Sequence, residues 1–185
     1  MKYSTAVVIV CAFCFSGPVL ANSTHCGETY AQFAADKGYK VRASGKADTG
    51  LSITKVKVYV VFDPTDNGFG FIAKGAQECN LVEGINWKWI EETTAPSEVA
   101  KTLPPKSLDK LRMSFELLKQ QLAQYGETIV GLGDGGEGGV HKVVLFANRK
   151  TGTWSSVENL DQSGVLVAYG TDFELYSEGK EFQVK

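Results

Sequence analysis

The stretch ECNLVEGINW, residues 78–87, decides how this chain is read once it is laid on SGVLVAYGTDF, residues 163–173. With Cys79 set on Val165, Leu81 falls on Val167, Gly84 on Gly170 and Trp87 on Phe173, without a gap. The agreement extends outward. Gly38 matches Gly126, and the pair Phe62 and Gly68 matches Phe146 and Gly152. The chain holds 20 glycines, so one matched glycine carries little. Order, spacing and aromatic positions taken together point to an internal duplication.

Each half begins with helical material and continues in strands. HCGETYAQFAADKG, 25–38, places Cys26, Tyr30 and Phe33 at helical spacing and ends on Gly38. YKVRASG, 39–45, reads as a first strand. ITKVKVYVVF, 53–62, alternates, with Val56, Val58, Val60 and Phe62 on one face and Lys55, Lys57 and Tyr59 on the other. DPTDNG, 63–68, is turn chemistry in which Asp63, Asp66 and Asn67 cap their own backbone. Two further strands follow. The polar run 91–106 carries Pro96, Pro104 and Pro105 and reads as a linker.

A second helix is expected from Ser107 as N-cap, with Leu108, Leu111, Phe115, Leu118 and Leu122 on one stripe. Four more strands follow Gly126. The expected fold is therefore α+β: a tandem repeat of two α-β4 units, 22–90 and 107–185, with antiparallel sheets that each carry one packed helix.

The first 21 residues have a short positive start at Lys2, an apolar run from Ala6 to Phe15, a break at Pro18 and the small-residue site Val19-Leu20-Ala21. That is the pattern of a secretory signal peptide. The expected location is periplasmic or secreted, with no membrane span after cleavage. Cys11 and Cys14 leave with the signal, so Cys26 and Cys79 remain as one expected disulfide closing a loop of 53 residues. Val165 stands where the second half would repeat Cys79. The reading is that the short first helix needs a covalent tie and the apolar second helix does not. Removal of Lys2 leaves 18 basic against 21 acidic side chains, mixed along the chain, which argues against nucleic acid as a partner.

No catalytic residue, metal set or cofactor is assigned. GLGDGGEGG, 131–139, contains a Gly-x-Gly-x-x-Gly, but a strand follows it where a dinucleotide loop needs a helix. It reads as a flexible hairpin connection, and the spacing of Asp134 and Glu137 matches no calcium loop. His25 precedes Cys26 without a recognisable role. His141, with Ser155 and Ser156, sits in no nucleophile context. The aromatic residues Tyr59, Trp89 and Trp154 are the candidate binding set, as exposed anchors for a protein or glycan partner in the envelope, whereas Trp87, matched by Phe173, is read as core. A binding or inhibitory module is the favoured reading. The alternatives are an enzyme on an envelope polymer, using His141 and carboxylates, and a structural envelope component.

From Leu122 to Leu175 the chain carries Tyr125-Gly126-Glu127, a glycine-rich turn, the apolar strand Val143 to Phe146, and Thr151-Gly152-Thr153-Trp154. A strand from Val165 to Gly170 closes the series. In this order it resembles a group of small exported proteins of Gram-negative bacteria, whose last strand carries a cysteine where Val165 stands here. The resemblance implies export. The tandem layout is also similar to that of the secreted β-lactamase inhibitor proteins, which join two α-β4 units into one concave sheet that grips an enzyme. No motif is shared with them.

Overall fold

The computed structural model describes residues 25–26, 28–48, 56–74, 78–90 and 113–181. The expected signal peptide, the linker 91–106 and the helix start at Ser107 lie outside the described residues. The first half runs β1 (His25–Cys26), α1 (Glu28–Asp36), β2 (Lys40–Asp48), β3 (Val56–Phe62), β4 (Phe69–Lys74) and β5 (Glu78–Trp89). The second runs β6 (Met113–Ser114), α2 (Phe115–Ala123), β7 (Thr128–Gly135), β8 (His141–Asn148), β9 (Thr153–Leu160) and β10 (Ser163–Glu181).

The expected α+β fold, a tandem of two α-β4 units with a helix packed on each sheet, is not what forms. The strands make one antiparallel sheet in the order β5-β4-β3-β2-β10-β9-β8-β7, and β7 pairs back onto β5. The result is a closed barrel of eight strands, with β1 added beside β5 and β6 beside β10. The physical reason is edge satisfaction. Four strands alone leave two rows of unpaired N–H and C=O groups. Here β5 of the first half meets β7 of the second, with Gly84 opposite Gly135, and β10 meets β2, with Gly170 opposite Ala47. Closure removes every edge of the eight.

Two glycines permit these seams. A Cβ at Gly84 would overlap the carbonyl oxygen of Asp134, and one at Gly170 would overlap that of Lys46. Each seam then breaks register, between Ile85 and Lys88 and between Thr171 and Glu174. Within the breaks, Asn86 and Asp172 adopt positive φ of 57° and 58°. Their side chains clasp the facing strand: Asn86 donates to Asp134 at 2.9 Å, and Asp172 pairs with Lys46 at 2.8 Å. The matched positions of the two halves thus recur as matched joints of one sheet.

The barrel interior is one apolar core drawn from both halves, including Val58, Val60, Phe69, Phe71, Leu81, Trp87, Val143, Leu145 and Trp154. Three large rings need facing space. Gly131 and Gly133 on β7 supply it: a Cβ at either would collide with Trp87 and, at Gly133, with Phe69, while one at Gly135 would meet Val143 and His141. Ala43, Gly45 and Ala47 do the same on β2, where Gly45 receives the Trp154 indole. The glycine-rich run 131–135 is therefore an inward-facing strand, which corrects its reading as a flexible connection; only Glu137–Gly139 form a short 3-10 turn before β8.

The two helices cover apolar patches on the outside. Leu118 and Leu122 of α2, with Phe115, pack on Val144, Phe146, Val157, Leu166 and Tyr169 of β8, β9 and β10. Ala34 of α1 packs on Tyr39, Val41, Val61 and Ile72. The N-cap seen on α2 is Ser114, whose Oγ accepts from the Leu117 N–H at 3.3 Å. α1 begins only at Glu28, because His25 and Cys26 are extended and pair with Asn80 and Cys79 of β5.

Candidate functional site

The three expected aromatic anchors go to three places. Trp154 is 2 % exposed inside the barrel, with its Nε1 donating to the Lys46 carbonyl at 3.3 Å. It is core, which corrects its reading as an exposed anchor; alternation on β9 turns it inward beside Ala147. Tyr59 lies on the outer face of β3 in the α1 cluster, with the Lys57 ammonium 5.1 Å from its ring centroid. Trp89 stands at the end of β5, half-buried, at the barrel mouth.

Around Trp89 a constellation forms. Trp87 meets it edge to face, with centroids 5.4 Å apart. The Arg42 guanidinium, from the start of β2, lies 5.9 Å from a Trp89 ring centroid. Two strands separate β2 from β5 on one side of the barrel and four on the other, so Arg42 reaches Trp89 across the mouth. A bulge aims it there. The register of β2 shifts between Val41 and Ala43 against β3, and that of β10 shifts between Leu175 and Lys180 on the other side. Phe62 and Leu175 are half-buried beside the core near this end. The indole nitrogens of both Trp87 and Trp89 are buried and have no hydrogen-bond acceptor.

The opposite end of the barrel holds His141 and Glu158, on the inward faces of β8 and β9. Nε2 of His141 is 3.4 Å from Glu158 Oε1, with side-chain exposures of 12 % and 4 %. Burial raises the Glu158 pKa, and His141 opposes the rise. Ser156 shares the inner face but is 1 % exposed, and Ser155, on the outer face, is fully buried. His25 sits in β1, paired with Asn80.

A second buried carboxyl, Glu127, lies where α2 turns into β7. It is 3 % exposed, and burial pushes its pKa up to about 7. Ser155 and Thr153 lie close enough to favour the charged form, yet neither closes a well-aligned hydrogen bond to it. Asp134 is spoken for by Lys142 and Asn86, and these bonds, Lys142 first, hold its carboxyl below the usual range. Asp63 accepts from the Thr65 N–H and Asp66 from the Gly68 N–H, both at 2.7 Å, so each caps its own turn. Among the described residues no group of three or more His, Cys, Asp or Glu side chains is placed to hold a metal ion.

Arg42 and Glu158 carry no motif, and Glu127, which closes the Tyr125-Gly126-Glu127 triplet, was not read as a buried carboxyl. Arg42 was nevertheless visible in one way: counted from the matched glycines 38 and 126, it falls on Val130 of the second half. Compared with protein families, curated proteins and solved structures, the chain matches none.

Proposed function

We propose that this is an exported, non-catalytic binding module whose contact site is the Trp89 mouth of the barrel. The observation that carries the reading is the departure of the two halves from each other there. Arg42 and Val130 hold the same bulged position, each flanked by the same break in register, Val41 to Ala43 and Ile129 to Gly131. Val130 is fully buried and apolar, so the barrel itself asks for no charge at that point. Trp89 likewise corresponds to Leu175, two residues beyond the matched Trp87 and Phe173. A fold that breaks its own internal rule at one mouth points to function at that mouth. Half-buried Trp and Arg are also the side chains most used as binding anchors.

Export rests on the first 21 residues and on the resemblance to exported Gram-negative proteins. A disulfide between Cys26 and Cys79 fits this compartment, and the two residues face each other in the β1–β5 register. The partner is a protein or glycan of the envelope. No helix among the described residues is long and apolar enough to cross a membrane.

The test is affinity capture from periplasmic and secreted extracts with the mature, oxidised protein as bait. One stoichiometric species, lost with Trp89→Ala, is the expected result. No enriched species at micromolar bait, or a species indifferent to Trp89, contradicts the reading.

A further inference from the structure

The geometry points to a carboxylate as the group that the Trp89 mouth binds. This rests on the mouth being the contact site and adds the chemistry of what it holds. The polar atoms identified there donate. The Arg42 guanidinium can only donate, and so can an indole N–H. Arg42 is half-buried and forms no ion pair among the described residues; its identified contact is the Trp89 ring at 5.9 Å. The Trp87 and Trp89 N–H groups are buried without acceptors. Buried donors without acceptors are costly to a fold, and the second half shows that this barrel can be built without an arginine at the equivalent position, where Val130 sits.

Orientation supports convergence. The Trp87 ring lies along the glycine stripe of β7. A Cβ at Gly133 would touch its Cε3, and one at Gly131 would touch its Cε2. Gly131 is the residue paired with Trp89, nearer the mouth than Gly133. The Cε2–Nε1 edge of Trp87 is therefore turned toward the mouth end, where Trp89 and Arg42 stand. A guanidinium matches the two oxygens of a carboxylate in a bidentate pair, and charge-assisted bonds of this type are the strong ones. Phe62 and Leu175 beside the core offer apolar contact to whatever carries it.

Two sources of that carboxylate are set against each other: a small organic acid, and the free end of a polypeptide. Tryptophan fluorescence of the mature protein, followed at constant ionic strength, separates them. The probes are acetate, acetamide, and N-acetyl-trialanine with its end free or amidated. A saturable change with acetate and with the free peptide, absent with acetamide and the amide, is expected. Binding of the peptide tenfold or more tighter than acetate assigns the polypeptide source; equal affinity assigns the small acid. Arg42→Val copies the second half, should fold as the wild type does, and should weaken binding at least tenfold. Trp89→Phe keeps a ring, removes one donor, and should weaken it severalfold.

Equal responses to acetate and acetamide, no saturable response, or wild-type affinity in folded Arg42→Val would overturn the inference. A partner captured through Trp89 but indifferent to Arg42→Val and to acetate overturns the carboxylate and leaves the binding module standing.

Discussion

Glu127 shows how one residue sets a pH dependence. Its folded pKa of about 7 lies above the ordinary 4.5, so the native state holds a proton that the unfolded chain has released between those values. Stability contributed by the neutral carboxyl is fully present below 4.5 and is lost as pH rises through 7. The rise from 4.5 to about 7 is worth about 3 kcal/mol at most. Glu127→Gln, which stays neutral, should gain up to that amount at pH 8 and nothing near pH 4, by urea unfolding at both values. Wild-type stability at pH 8 in the variant would contradict the buried, proton-holding carboxyl. The raised Glu158 pKa acts in the same direction in both proteins and cancels in the comparison. Trp154 is the second residue-scale case. Its indole fills the space over Gly45, so Trp154→Ala should cost about 3–5 kcal/mol by the same measurement, as a buried ring does and an exposed anchor does not.

At the scale of elements, β7 separates what the sequence carries from what it hides. Alternation made β3 legible: Val56, Val58, Val60 and Phe62 do face the core, and Tyr59 faces out. The turn at Asp63 to Gly68 was legible because Asp63 and Asp66 bond to the backbone of their own loop. β7 was not, since glycine has no hydropathy to alternate and each one reads as a breaker. The usable signal was the spacing, Gly131, Gly133 and Gly135 at period two, set against a chain with large aromatics to place. Gly133→Ala should therefore lose about 1–3 kcal/mol in urea unfolding, by forcing Trp87 and Phe69 apart. A flexible connection would tolerate that alanine unchanged. β1 makes a related case. Helical spacing placed Cys26 in α1, but two residues of strand pairing set it across from Cys79. Joining the two across a 53-residue loop is worth about 4 kcal/mol on the chain-entropy account. Cys26→Ser with Cys79→Val should lose up to that amount, and an unreduced mass two daltons below the thiol form should mark the intact bond.

For the whole molecule, the closure was not legible, and the expected tandem of two α-β4 units does not form. Matching Cys79-to-Trp87 with Val165-to-Phe173 found the two joints, yet nothing local says that β5 of one half pairs with β7 of the other. Period-two patterns fit an open sheet and a barrel alike, because both bury one face of each strand. What tells them apart is long-range: two chains of backbone meeting at Gly84 and Gly170, where a side chain would overlap the facing carbonyl. The candidate site follows from the same comparison. The register breaks at Val41 to Ala43 and at Ile129 to Gly131 correspond, yet aligned mouth positions carry Arg42 and Trp89 against Val130 and Leu175. The measurement that tests this most directly is capture with the double variant Arg42→Val, Trp89→Leu, which makes the first half copy the second. The account predicts a protein that still unfolds in one cooperative transition and no longer retains the partner the wild type retains. A folded double variant that captures the same partner as well as the wild type would contradict it.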